Sequence, residues 1–140
     1  MLGLVGGQRV TEEDADGWTL RFAEPLVTQL RIDYAFSLVL ADGAVIRIDE
    51  PFDLGTLEET SLVPPGDVTH EVAAALPLFN QSVHSVRISR SGELTIRFDE
   101  GPVIEVPVNQ GYENWLISLV DGDTWVGLPG GGVSVLPASS

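Results

Sequence analysis

Apolar residues recur at every second position in short runs along most of this chain: Phe36, Leu38 and Leu40; Ile46 and Ile48; Val86 and Ile88; Leu94, Ile96 and Phe98; Ile104 and Val106; Trp115, Ile117 and Leu119. Successive side chains of an extended strand point to opposite faces, so this period buries one face and wets the other. Between the runs stand Ala41-Asp42-Gly43, Ser91-Gly92, Asp99-Glu100-Gly101 and Asp121-Gly122-Asp123, whose glycines take positive φ readily in tight turns. Short turns join antiparallel neighbours. The expected fold is mainly β: two antiparallel meanders of three to four strands each, packed as a sandwich or a partly open barrel.

One segment breaks the period. Val68, Val72 and Leu76 share one helical face, Asp67 is placed to cap the first turn, and Pro77 is placed to stop the last. A single short helix near 67–76 is expected. The stretch from Arg31 to Ile48 also resembles that from Arg87 to Val106: Arg-Ile aligns with Arg-Ile, Leu38 with Leu94, Leu40 with Ile96, and, after two extra residues at the second turn, GAVIRI with GPVIEV. This reads either as a duplicated three-stranded meander or as the self-similarity of any alternating hairpin.

Charge sets the functional boundaries. Among 140 residues there are 21 Asp and Glu against 7 arginines and no lysine, a net charge of −14. Nucleic acid and anionic membrane surfaces need concentrated cations and are poor partners; a basic protein is a good one. No apolar run reaches the roughly 18 residues that cross a bilayer as a helix, and MLGLVGGQRV lacks the basic start of a secretory signal, so cytoplasmic residence is expected. The length suits one domain spanning 1–140, with an acidic segment over 1–24 and a β-rich core over 25–137. The clusters Glu12 to Asp16 and Asp49 to Glu59 read as solvated loops.

Candidate chemistry is sparse. Cysteine is absent, and HEVAA at His70 lacks the second histidine of a zinc-hydrolase motif. His84 falls on an alternating run and reads as an ordinary strand residue. Glu12, Asp14, Asp16 and Gly17 begin like a calcium loop, but Ala23 stands where the closing glutamate belongs. Gly130-Gly131-Gly132 precedes a strand rather than a helix, so it reads as a turn and not a phosphate cradle. No metal ligand set, cofactor or catalytic residue is assigned. The richest stretch is Tyr112-Glu113-Asn114-Trp115. Extending the alternation backward puts Glu113 on the face of Trp115 and Asn114 on the other. Trp115 is then a core anchor with Glu113 reaching water or an arginine such as Arg87 or Arg97, or Tyr112, Glu113 and Trp115 line a binding pocket.

Ile32-Asp33-Tyr34, Ala41-Asp42-Gly43, Val72 to Leu78, Gly92 to Phe98 followed by Asp99 and Gly101, Tyr112-Glu113-Asn114-Trp115 and Leu128-Pro129-Gly130-Gly131 occur in that order. In these motifs, over roughly Leu26 to Leu136, the chain resembles an uncharacterised, mainly actinobacterial family of small single-domain proteins. The resemblance implies a shared fold and brings no activity, cofactor or catalytic residue with it. The functional expectation is a non-enzymatic, acidic protein-binding domain, an immunity-type or chaperone-type partner of a basic protein. The alternatives are a small-molecule binder or enzyme with its pocket at Tyr112, Glu113 and Trp115, and a structural homodimeric subunit joined through an edge strand.

Overall fold

The computed structural model describes residues 10–56, 60–64 and 72–138. Its strands are β1 Val10–Asp14, β2 Gly17–Arg21, β3 Val27–Ile32, β4 Phe36–Leu40, β5 Val45–Ile48, β6 Phe52–Gly55, β7 Thr60–Val63, β8 Val83–Ser89, β9 Leu94–Phe98, β10 Val103–Val106, β11 Trp115–Ser118, β12 Thr124–Gly127 and β13 Val133–Leu136. They form a seven-stranded sheet in the order β1-β2-β8-β9-β10-β6-β7 and a six-stranded sheet in the order β13-β12-β11-β5-β4-β3. Neighbours are antiparallel throughout. The two sheets pack together as an open sandwich, as the alternation predicts, but each is wider than the three to four strands expected: the β8-β9-β10 meander is the middle of the seven-stranded sheet and β3-β4-β5 is one end of the six-stranded sheet.

Register explains the core. Leu20, Val86, Ile96, Ile104 and Leu54 lie opposite one another across five strands of the first sheet and point inward. Leu30, Leu38, Ile46, Ile117 and Trp125 form the matching row of the second. Aromatic pairs fix how the layers stack: Trp18 on β2 meets Trp125 on β12 edge-on at 5.5 Å, and Phe36 on β4 meets Phe52 on β6 at 5.2 Å. The sheets are therefore aligned, with β1 and β13 on one flank and β3 and β7 on the other.

Five hairpins close in one way. Leu40, Ser89, Phe98, Leu119 and Leu128 each donate their N–H to the carbonyl four residues on, and each carbonyl accepts the N–H of the glycine three residues on. Those glycines, Gly43, Gly92, Gly101, Gly122 and Gly131, have φ of 98°, 98°, 106°, 98° and 116°. A three-residue loop ending in a left-handed residue has this geometry, and it suits the right-handed twist of the flanking strands.

Three sequence expectations are corrected. The helix is a 3₁₀ helix over Val72–Leu78 that carries Pro77 inside it and buries Val72, Ala75 and Leu78, while Leu76 is 50% exposed. Its period of three selects different residues from the α-helical period; positions 67–71, with Asp67, Val68 and His70, lie outside the described residues. The acidic clusters are not loops throughout: Glu12 to Asp14 lie in β1 and Asp53 in β6. The two similar stretches are indeed three-stranded meanders, β3-β4-β5 and β8-β9-β10, in opposite sheets and offset sideways. However, Ile32 opposite Phe36 corresponds to Ile88 opposite Leu94, so the two extra residues belong to the first turn, and Leu38 matches Ile96 rather than Leu94.

Candidate functional site

The Tyr112–Trp115 stretch divides between core and surface. β11 begins only at Trp115, so the residues before it follow a loop and not the strand alternation. Asn114 and Trp115 are both wholly buried, at 0% exposure, whereas Glu113 is exposed and Tyr112 is 42% exposed. The Trp115 indole Nε1–H donates to the Gly92 carbonyl at 2.8 Å, and Asn114 Nδ2 donates to the same carbonyl at 3.1 Å and to that of Pro107 at 2.7 Å. Gly92 sits in the β8–β9 turn, so these bonds tie one sheet to the other. Buried polar groups cost least when bonded in this way, and Trp115 supplies apolar bulk and a donor together. Trp115 is thus enclosed and not part of the surface. Glu113 does not meet Arg87, whose guanidinium is held elsewhere.

The loop over 107–114 is organised by Asn109. Its Oδ1 accepts the N–H groups of Gly111 at 2.7 Å and Tyr112 at 3.1 Å, its carbonyl accepts from Gly130 at 2.8 Å, and its Nδ2 donates to the Glu50 carboxylate. The Tyr112 hydroxyl is pushed above the ordinary phenol range by partial burial, then by the negative charge of Glu50 and a hydrogen bond to it, and then by Asp49. Tyr112 is a neutral hydrogen-bonding group there, not a phenolate.

A larger polar surface lies on the outer face of the seven-stranded sheet. Glu12, Thr19, Arg87, Thr95, Glu105, Asp53 and Leu62 stand opposite one another in a single row across all seven strands. Two open depressions adjoin there, sharing Arg87 and Thr95. One, of about 350 Å³, includes Asp53, Glu93 and Glu105; the other, of about 410 Å³, includes Arg21, His84 and Arg97. The face is therefore bipolar.

Its cationic half is largely neutralised. Asp14 receives both Arg87 terminal nitrogens, at 2.7 and 2.9 Å, Arg21 meets Glu12 at 2.7 Å, and His84 faces Asp99 at 3.3 Å. Arg90 donates to Glu13 at 2.7 Å and lies 4.7 Å over the Trp18 ring. In the acidic half, Asp53 and Glu105 stand directly opposite each other, and neither has a hydrogen-bond or ion-pair partner among the described residues. Sequence reading missed this pair by assigning Asp53 to a loop; the alternation of Phe52, Asp53 and Leu54 was the available signal.

The Arg87 fork, followed by the N–H of Asp16, holds the Asp14 carboxyl at about 2, below its usual 3.8; the charge of Arg87 and the N–H of Gly17 add to this. A carboxyl depressed in the folded state stabilises that state above the unfolded value, and the contribution is lost as pH falls from about 4 toward 2. The Asp14 carbon resonance is expected to titrate near 2 in the wild type and to return to the ordinary Asp range in Arg87→Met; an unchanged midpoint in the variant counts against the fork as cause.

Among the described residues no group of three or more His, Cys, Asp or Glu side chains is placed to hold a metal ion. His70 lies outside the described residues. No described helix is long and apolar enough to cross a membrane. No curated protein and no solved structure matches the chain significantly. A family profile does match, over residues 18–137, from Trp18 in β2 to Pro137, the residue after β13. The protein accordingly belongs to the family of unknown function DUF6188.

Proposed function

We propose that this protein is a non-enzymatic binding domain that engages a basic protein through the acidic half of its outer sheet face. The observation that carries the reading is the Asp53–Glu105 pair. Like charges directly opposite on neighbouring strands destabilise a sheet, and here two are left without a compensating cation among the described residues. A fold that carries such a cost at an exposed position has a use for it at that surface. With a net charge of −14 behind it, the patch steers cations and gives fast, salt-sensitive association. An immunity-type or chaperone-type role toward a basic toxin or effector is the concrete form of this proposal. The pocket reading at Tyr112, Glu113 and Trp115 has less support because Trp115 is enclosed.

The double substitution Asp53→Asn with Glu105→Gln tests it. Partners captured from extract of the source organism, then purified, are expected to be basic and to bind the variant about tenfold more weakly, the loss of one to two exposed ion pairs. Thermal unfolding is expected to move the other way, toward greater stability by about 0.2–1 kcal/mol. Binding that survives both the double substitution and raised salt sinks the proposal.

A further inference from the structure

We infer that β13 is a docking edge, and that an extended, positively charged segment of the partner adds there as a further strand of the six-stranded sheet. The inference rests on the basic-partner reading above and states where such a partner is held. Free sheet edges invite unwanted pairing, and folds blunt them with charge, bulges or covering chain. Three of the four edges here are blunted. β1 carries Glu12, Glu13 and Asp14. β3 has a register shift between Val27 and Gln29 and is crossed by the 80–82 segment, with Val27 N–H donating to the Gln81 carbonyl at 2.8 Å and Asn80 N–H to the Val27 carbonyl at 2.9 Å. β7 lies against the 3₁₀ helix. β13, Val133-Ser134-Val135-Leu136, has no charge, no proline and no bulge, and pairs with β12 in unbroken register.

The ladder also fixes which groups are on offer. Leu128 bonds Gly132 across the turn, so the hydrogen-bonded pairs continue at Val126–Ser134 and Thr124–Leu136. The N–H and C=O groups of Val133 and Val135 therefore point away from β12, and no other element bonds them among the described residues. Val135 and Leu136 are 42% and 55% exposed, flanking the edge with apolar surface. Such an edge is matched by extended backbone. Charge chooses the occupant. β1 shares the flank, and although Arg21, Arg90 and Arg87 match its carboxylates, the molecule's excess of −14 favours a cationic strand and opposes a second copy of itself.

The test uses the full chain and synthetic peptides in which valine alternates with lysine, glutamine or glutamate. The lysine peptide is expected to bind best, to weaken with salt, and to protect the amides of Val133 and Val135 from exchange. Val135→Pro removes an outward N–H that the ladder does not use, so binding is expected to fall about tenfold with the unfolding midpoint unchanged; Val133→Pro removes another and is expected to weaken binding as much, but with a lower midpoint, because the Val133 side chain packs against the core. Ser134→Pro, which does remove a ladder donor, is expected to lower the midpoint. Equal binding by both outward proline variants, with shifts mapping to Asp53 and Glu105, overturns the edge and leaves the basic-partner reading standing. No preference for the lysine peptide overturns that reading as well. A wild-type dimer that Val135→Pro dissolves overturns the proposed occupant in favour of a second copy, and failure of all three peptides to bind overturns the edge as a docking site.

Discussion

Gly127→Ala is expected to cost about 3 kcal/mol of folding stability, the upper end of what overpacking a core with one methyl group does. Gly127 is buried in β12, and a methyl group on its Cα would lie 2.0 Å from Asn114 Oδ1, 2.6 Å from Trp115 Nε1 and 2.8 Å from Trp115 Cε2. Neither neighbour has room to give. Asn114 is fixed because both of its Nδ2 partners, the carbonyls of Gly92 and Pro107, are acceptors, which also settles that Oδ1 and not Nδ2 faces Gly127. Trp115 is fixed by its bond to the same Gly92 carbonyl and by complete burial. Relief of the clash breaks bonds that join the two sheets and leaves buried donors unpaired. Urea denaturation is expected to show a lower midpoint with an unchanged m-value. Asn114→Ala alone also destabilises, but combined with Gly127→Ala the two losses are expected to sum to less than their separate values, because the first removes the atom the second strikes. A Gly127→Ala midpoint equal to wild type shows that the sheets have slack at this point.

That lock marks the boundary of what alternation reveals. The hairpins were legible because each announces itself locally, as Gly43, Gly92, Gly101 and Gly122 do between apolar pairs; the sandwich followed from the pattern. Asn114 was not legible. A buried asparagine looks like a solvent-facing one until its partners, 7 and 22 residues away, are known. The alternation does not extend back past Trp115, because β11 begins there and the preceding loop turns Asn114 and Trp115 inward together. The acidic run at Glu12 to Asp16 misleads in the same way: Glu12, Glu13 and Asp14 occupy a strand, where Arg21, Arg90 and Arg87 meet them, two of these across more than 70 residues of chain, and of the carboxylates only Asp16 lies in the turn. The alanine-rich helix failed through periodicity, because three residues per turn bury Val72, Ala75 and Leu78 where the α-helical count selects Leu76. Of the surface, charge was legible from composition and its arrangement was not; the Asp53–Glu105 opposition exists only in the register between β6 and β10.

Gly17→Ala is expected to produce a different failure, local where Gly127→Ala is global. A methyl group on Gly17 would lie 2.0 Å from the Ile88 carbonyl oxygen and 3.0 Å from the Ser89 Cα, and the backbone there has φ of 153°, which side-chain-bearing residues rarely adopt. The obstacle is backbone of the neighbouring strand β8, so no rotamer change relieves it. What can move is the hairpin. β1 is an edge strand whose only backbone ladder among the described residues is with β2, with further ties from the side chains of Arg87 and Arg90, and the family match begins at Trp18, beyond β1 and Gly17. The variant is therefore expected to release β1 and the start of β2 while Leu20 keeps its place in the core, at a cost of about 1–3 kcal/mol. Release separates Asp14 from Arg87 and Asp16 from the Arg90 N–H it accepts at 3.0 Å, so the Asp14 titration is expected to climb back into the ordinary carboxylate range in this variant too. Hydrogen exchange distinguishes this from global loss: amides of β1 become unprotected while those of β8, β9 and β11 stay slow. Full protection of β1 in Gly17→Ala contradicts the account, because it requires β2 and β8 to have separated enough to admit the methyl group without unzipping, and the Gly17–Ser89 pairing leaves no such space.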